Sequence, residues 1–167
     1  MRFSRDGTML SVCAGPGYVP EIWSISRNEK VADLIGHEAG VNDVDLTGDK
    51  QTAATASWDG TLKLWDVETR KELASFHGQL RGYRCVTISP DDRRVAAGGS
   101  DGTIEIWDMN TRQAVARLRG HKGHVLRVAF LPDNNTLVSV GDDGVRLWRA
   151  LSLKQIDTEE KAKPYPK

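Results

Sequence analysis

Two cysteines in 167 residues, Cys13 and Cys85, are too few for a disulfide framework, and they fit a reducing compartment. Lys plus Arg and Asp plus Glu both total 23, so the chain carries no net charge. A protein that lives on phosphate contacts would show a basic excess, so nucleic acid is not an expected partner. Missing too are an apolar run of about 18–20 residues, as a membrane helix needs, and the apolar core of a signal peptide in Met1–Leu10. No segment holds a sustained helical period of 3.6. What the chain does have is a rhythm. Trp23, Trp65, Trp107 and Trp148 are spaced by 42, 42 and 41 residues, so nearly the whole length is one unit repeated about four times. An array of small units, none stable alone, replaces the single-core domain that the length suggests.

Aligned on the Trp residues, other positions fall into columns. Gly36-His37, Gly78-Gln79 (the third-unit variant) and Gly120-His121 open units two to four. Val41, Tyr83 and Val125 follow, each leading a short alternating run rich in β-branched and aromatic residues. Turns read Ser4-Arg5-Asp6-Gly7, Thr47-Gly48-Asp49-Lys50, Ser89-Pro90-Asp91-Asp92 and Leu131-Pro132-Asp133-Asn134. Second strands are predicted at Met9–Cys13, Thr52–Ser57, Arg94–Gly98 and Thr136–Val140. Asp59-Gly60, Asp101-Gly102 and Asp143-Gly144 then mark tight hairpins. Third strands alternate with a period of two, as in Leu62-Lys63-Leu64-Trp65, and a polar loop leads to a fourth strand at Glu72–Phe76 or Ala114–Leu118. The fold class is all-β, about four four-stranded antiparallel meanders.

Gly-His, the Asp-Gly turn and Trp-Asp (Trp65-Asp66, Trp107-Asp108), recurring at about 42 residues, resemble the WD40 repeat family. The resemblance covers residues 1–156, with units at about 3–35, 36–77, 78–119 and 120–156, and leaves 157–167 as a polar tail. It implies blades of a β-propeller around a central channel. It also implies, per blade, a structural tetrad of His, Ser or Thr, Asp and Trp joined by hydrogen bonds. Carried over by column, unit two supplies His37, Ser57, Asp59 and Trp65. Unit three keeps Asp101 and Trp107 but has Gln79 and Gly99 elsewhere. Unit four keeps His121, Asp142 and Trp148, with Val140 in the Ser column and Asp143 a rival for Asp142 across a one-residue deletion. Unit one has Trp23, with Gly17 where the Asp should be.

The Ser-His-Asp set of unit two is read as structural rather than catalytic, and the chain as no enzyme. His121 and His124, three apart in a loop, make no metal site, and no cofactor is expected. Cys13 and Cys85 read as small core hydrophobes. Seven Arg against five acids in unit three read as a solvated rim. Surface recognition remains. In such propellers partners dock where the inter-blade loops and tight turns emerge, and the columns there give Asn42, Trp58, Arg84, Ser100 and His124 as candidate partner-binding residues. Trp58 beside Arg84 of the next blade would form an anchor pair, since Trp and Arg dominate interface hot spots; alternatively Trp58 lies flat on its own hairpin.

The function this supports is a cytoplasmic scaffold that binds a protein or peptide. The alternatives are a regulatory segment of a larger multidomain protein and, third, a propeller enzyme, for which Asp43, Asp45 and Arg127 are the only charged inner-strand candidates. Unit one begins late: Met1-Arg2-Phe3 matches only the end of an inner strand, giving three full strands there and fifteen in all. A partial propeller is expected, preferably a fragment of a longer one, otherwise one that self-associates to complete the ring.

Overall fold

A computed structural model describes residues 1–13, 19–78 and 82–150. The alternation seen in the sequence becomes fifteen strands and no helix among the described residues. Blade one contains β1 (Arg2–Phe3), β2 (Met9–Val12), β3 (Glu21–Ser24) and β4 (Glu29–Asp33). Blade two contains β5 (Val41–Leu46), β6 (Thr52–Ser57), β7 (Thr61–Asp66) and β8 (Glu72–His77). Blade three is β9 (Tyr83–Ile88), β10 (Arg94–Gly99), β11 (Thr103–Asp108) and β12 (Ala114–Arg119). Blade four is β13 (Val125–Phe130), β14 (Thr136–Gly141) and β15 (Gly144–Arg149). Each is an antiparallel meander in chain order.

One detail differs from the sequence reading. Blade one has a fourth strand after all, because Arg2 and Phe3 pair with Ser11 and Leu10. The fourth strand expected in blade four would involve residues after Ala150, which lie outside the described residues; Gly17 and Gln79 lie outside them too.

The turns carry the conformations their residues suit. Gly60, Gly102 and Gly144 follow the hairpin Asp with φ of 84, 81 and 113°, a region that costs a side-chain-bearing residue about 1–2 kcal/mol. The Asp of each Trp-Asp pair serves the outer turn. Asp66 Oδ1 accepts from Thr69 N and Oγ1, and Asp108 Oδ1 from Thr111 N and Oγ1. The Trp of the same pair turns into the seam with the preceding blade.

The core consists of those seams. Ile22, Ala32 and Leu34 of blade one pack on Val44, Leu46, Ala53 and Trp65 of blade two. Leu62, Leu64, Ala74 and Phe76 of blade two meet Val86, Ile88, Val95 and Trp107 of blade three. Ile104 and Ile106 of blade three meet Val125, Val128 and Leu137 of blade four, with Phe130 and Trp148 at the margin. Each blade thus has a leading face, turned to the blade before it, and a trailing face, turned to the blade after it.

Charged side chains tie the inner strands together. Asp43, almost fully buried, accepts Val86 N at 3.1 Å and lies 3.3 and 3.4 Å from Arg2 and Arg127, so one carboxylate engages blades one, three and four. Asp45 accepts Ile88 N at 2.8 Å and pairs with Arg2 at 3.0 Å. Asp43→Ala leaves a buried N–H unpaired and Arg2 with one partner fewer. It should lower unfolding free energy by about 3 kcal/mol, and the more exposed Asp45→Ala by less, as read from urea denaturation midpoints.

Candidate functional site

In blades two and four, hydrogen bonds converge on a buried hydroxyl. In blade two, Trp65 Nε1 donates to Thr55 Oγ1 at 2.8 Å, and Thr55 Oγ1 lies 2.6 Å from His37 Nε2. His37 Nδ1 is 2.7 Å from Asp59 Oδ2. The indole can only donate, so Thr55 Oγ1 accepts from Trp65, while the tautomer of His37 sets which partner donates in the other two contacts. Burial pushes His37 below its ordinary pKa, against the opposing pull of Asp59. Burial also works against ionisation of Asp59. Hydrogen bonds from Thr61, from His37 and from the Thr61 and Glu38 backbone nevertheless hold it down at about 2.

The hydroxyl is therefore Thr55, and the assignment of Ser57 is corrected. Trp65 pairs with Ala53 across β6 and β7. Two residues along the strand, about 7 Å, bring Thr55 within reach of the indole, whereas Ser57 is about 13 Å away. Ser57 lies on the same side but at the strand mouth. There it accepts Asp59 N at 3.1 Å and donates toward the carbonyls of Ala39 and Gly40.

Blade four repeats the chain of bonds with Ser139. Trp148 Nε1 donates to Ser139 Oγ at 2.8 Å, and Ser139 Oγ lies 2.7 Å from His121 Nε2. His121 Nδ1 contacts Asp143, not Asp142, which corrects the second assignment. Gly141 pairs directly with Gly144, so the deletion shortens the hairpin itself. The Asp next to the glycine keeps its role, and Asp142 moves to the place that Trp58 and Ser100 hold in blades two and three. The placing of Val140 in the Ser column is corrected with it, since Ser139 supplies the hydroxyl.

Blade three departs more deeply. Ala97 occupies the hydroxyl position, and Gln79 lies outside the described residues. Asp101 still caps its turn, accepting Thr103 N at 3.0 Å, and Trp107 packs edge-on against Tyr83, with ring centroids 5.8 Å apart. Tyr83 Oη donates to the buried Glu105 at 2.5 Å, and Arg117 pairs with Glu105 at 3.4 Å. In blade one, Trp23 Nε1 donates to Glu21 at 2.8 Å. Neither Tyr83 nor Glu105 was singled out as polar partners from the sequence. The absence of a hydroxyl at Ala97 is the signal that another network must replace the first.

The partner-binding candidates separate into two groups. Trp58 does not lie flat on its own hairpin. Its indole sits against Gly82 of blade three, where an added Cβ would stand 2.7 Å from Cε3. The Arg84 guanidinium covers the ring at 5.1 Å from its centroid, yet Trp58 remains 41% exposed. His124 contributes its backbone N–H and Nδ1 to Asp142, both at 2.8 Å, and the pair is half exposed. The His124 N–H, with the nearby Arg84 adding a smaller charge effect, holds the Asp142 carboxyl below its ordinary range. Trp58, Arg84, Asp142 and His124 thus form one strip across three blades. Asn42 is spent otherwise, donating to the Tyr83 carbonyl at 2.7 Å to tie two blades together. Ser100 Oγ is buried without a hydrogen-bond partner among the described residues.

His121 and His124 engage different carboxylates, and no group of three or more metal-ligating side chains occurs among the described residues. Both cysteines are free thiols, pushed up to about 11 at Cys13 and about 12 at Cys85, chiefly by burial.

Thr55→Val should strand the Trp65 indole N–H and cost about 1–3 kcal/mol. The Trp65 indole proton should lose its exchange protection in this variant and keep it in Ser57→Ala. For pH, both shifts carry the same sign. An unfolded His37 titrates near 6.5 and an unfolded Asp59 near 3.9, each above its folded value, so the unfolded state binds protons first. Stability from His37 is full above about pH 6.5 and falls as pH drops below it; stability from Asp59 is lost from about pH 4 down through about 2. Urea midpoints measured between pH 8 and 5 should therefore decline less in His37→Asn than in the parent.

A family model described as "WD domain, G-beta repeat" matches residues 28–66, 70–108 and 112–149. Each match begins on or beside an outer strand and ends on the third strand of the next blade, so the sequence repeat straddles a seam. Eukaryotic translation initiation factor 3 subunit I of Caenorhabditis briggsae is 35% identical over 64 residues, covering 38% of this chain and 19% of that protein. The protein of the same name from Caenorhabditis elegans matches to the same extent. The aligned stretch therefore spans about a fifth of these relatives. With three matched repeats that cover well over half of the residues, the chain belongs to the WD40 repeat family.

Proposed function

We propose that this chain is a non-catalytic interaction module that receives a protein or peptide on the strip formed by Trp58, Arg84, Asp142 and His124. The observation that carries the reading is the Arg84 guanidinium stacked over an exposed Trp58 across a blade boundary. The indole is held in place by Gly82 and Arg84, so little side-chain entropy remains to be lost on docking. The guanidinium keeps donors free for a partner's carbonyl or carboxylate. Family membership supports protein binding in general, and the relatives are named as subunits of a translation initiation factor, which favours a place in a multi-protein assembly. A cytoplasmic location belongs to the same proposal. No helix of the described residues is long and apolar enough to cross a membrane.

An enzymatic reading has less to stand on. Asp43 and Asp45 are engaged by backbone amides and arginines, and the hydroxyls of Thr55 and Ser139 are bound on both sides within the seam. A place as the regulatory part of a larger multidomain protein is compatible with the same strip and has no observation of its own.

Partners captured on the immobilised chain should be identified by mass spectrometry, purified and titrated against variants. Trp58→Ala and Arg84→Ala should each weaken binding at least tenfold, about 1.4 kcal/mol, while Glu68→Ala on an outer turn should not. Unchanged affinity in both strip variants would remove this face as the docking site.

A further inference from the structure

Granted the docking strip just proposed, on which this reading rests, we propose that the partner is a peptide segment with an acidic side chain beside an apolar one. Arg84 takes the carboxylate and Leu126 the apolar group. Strand register singles these two residues out. Val41 pairs with Ser57 and Asp43 with Ala56, which leaves Asn42 out of the ladder as a bulge. Arg84 and Leu126 are left out of blades three and four in the same way. A bulge frees the extra residue from the ladder and re-aims its side chain. Of the three, Asn42 is spent on the fold, in its bond to the Tyr83 carbonyl. Leu126 is instead 40% exposed. Cys85 Sγ donates toward the Val125 carbonyl at 3.6 Å, which joins the strands that carry Arg84 and Leu126.

Arg84 is a positioned cation without a counter-ion. Arg2, Arg5, Arg127 and Arg146 each pair with a carboxylate at 3.4 Å or less. Arg84 makes no ion pair and no side-chain hydrogen bond among the described residues, and its half-buried guanidinium is stacked on the Trp58 ring. A planar fork of donors held in this way matches a carboxylate, which it can bind through two parallel bonds. Asp142 does not fill that role, because its Oδ2 accepts from both His124 N and His124 Nδ1. It does limit the charge that can enter. Half exposed, and close enough to feel the Arg84 charge, its carboxylate repels a phosphate dianion more strongly than a single carboxylate. The strip therefore suits an unmodified Asp or Glu rather than a phosphorylated residue.

Random peptides displayed on phage and panned on the immobilised 167-residue chain test this. Enriched sequences are synthesised with both ends blocked, so that only a side chain supplies the carboxylate, and titrated by fluorescence anisotropy. Expected is enrichment of Asp or Glu next to Leu, Ile, Val or Phe. Replacing that acid by its amide should weaken binding to the parent chain about tenfold. The same replacement should change little on Arg84→Gln, where the contact is already gone. Arg84→Gln should bind the amide peptide as the parent does, which shows that the variant is folded. Leu126→Ser should weaken binding and leave the preference for the acid intact. Phosphoserine in place of the acid should bind no tighter to the parent, and Asp142→Asn should favour the phosphoserine peptide more than the Glu peptide. Enriched sequences that lack an acid but lose affinity with Trp58→Ala overturn the carboxylate and leave the strip standing. Acidic peptides that bind Trp58→Ala and Arg84→Gln as tightly as the parent overturn both. A tighter phosphoserine peptide, or a library that enriches nothing, overturns the proposal.

Discussion

A four-stranded meander has two faces, and alternation along its strands makes both of them apolar here. Neither can be buried within the blade, so every blade depends on the one before and the one after it. Burial is worth about 25 cal/mol per Å², and in this chain almost all of it lies in three seams rather than in a central core. The Trp repeat is the visible mark of that dependence. Trp65, Trp107 and Trp148 are delivered by the third strands to the leading faces, where they close the three seams. The family match straddling the blades has the same origin, since a unit that begins on one blade and ends on the next staples a seam shut.

Polar groups enter these seams only in satisfied sets. Trp65, Thr55, His37 and Asp59 form a continuous hydrogen-bonded chain ending at the hairpin, and Trp148, Ser139, His121 and Asp143 repeat it. Where blade three has Ala97, the carboxylate of Glu105 and the Tyr83 phenol occupy the equivalent depth. A buried carboxylate needs several partners, which Tyr83 and Arg117 help to supply. The inner strands solve the same problem with Asp43 and Asp45, which replace lateral hydrogen bonding between blades by carboxylate-to-amide contacts. These bonds fix the spacing of inner strands, and so the positions of the loops that carry Trp58, Arg84 and His124.

Much of the fold was legible because its periods are strict. The 42-residue spacing, the Asp-Gly turns and the two-residue alternation located the blades and nearly every strand. The tetrad was less legible. Counting columns from Trp placed the hydroxyl at Ser57 and the last acid at Asp142. A column count carries no information on how far an indole reaches along its neighbour strand, and it passes through a deletion without saying where the chain absorbs it. Asp-Gly adjacency would have pointed to Asp143, and Thr55, two residues before Ser57 on the same strand face, was not singled out.

By itself the sequence determined an all-β repeat, its number of blades and the residue types that close each seam, because local alternation and turn chemistry act over a few residues. Tertiary structure alone decided which hydroxyl joins His37 to Trp65, and that Asn42 is consumed between blades. It also decided that Trp58 leans on Gly82 beneath Arg84, and that Asp142 joins the surface strip. These contacts join segments 10 to 41 residues apart, some within a blade and some between blades, so their geometry is set only when strands and loops pack.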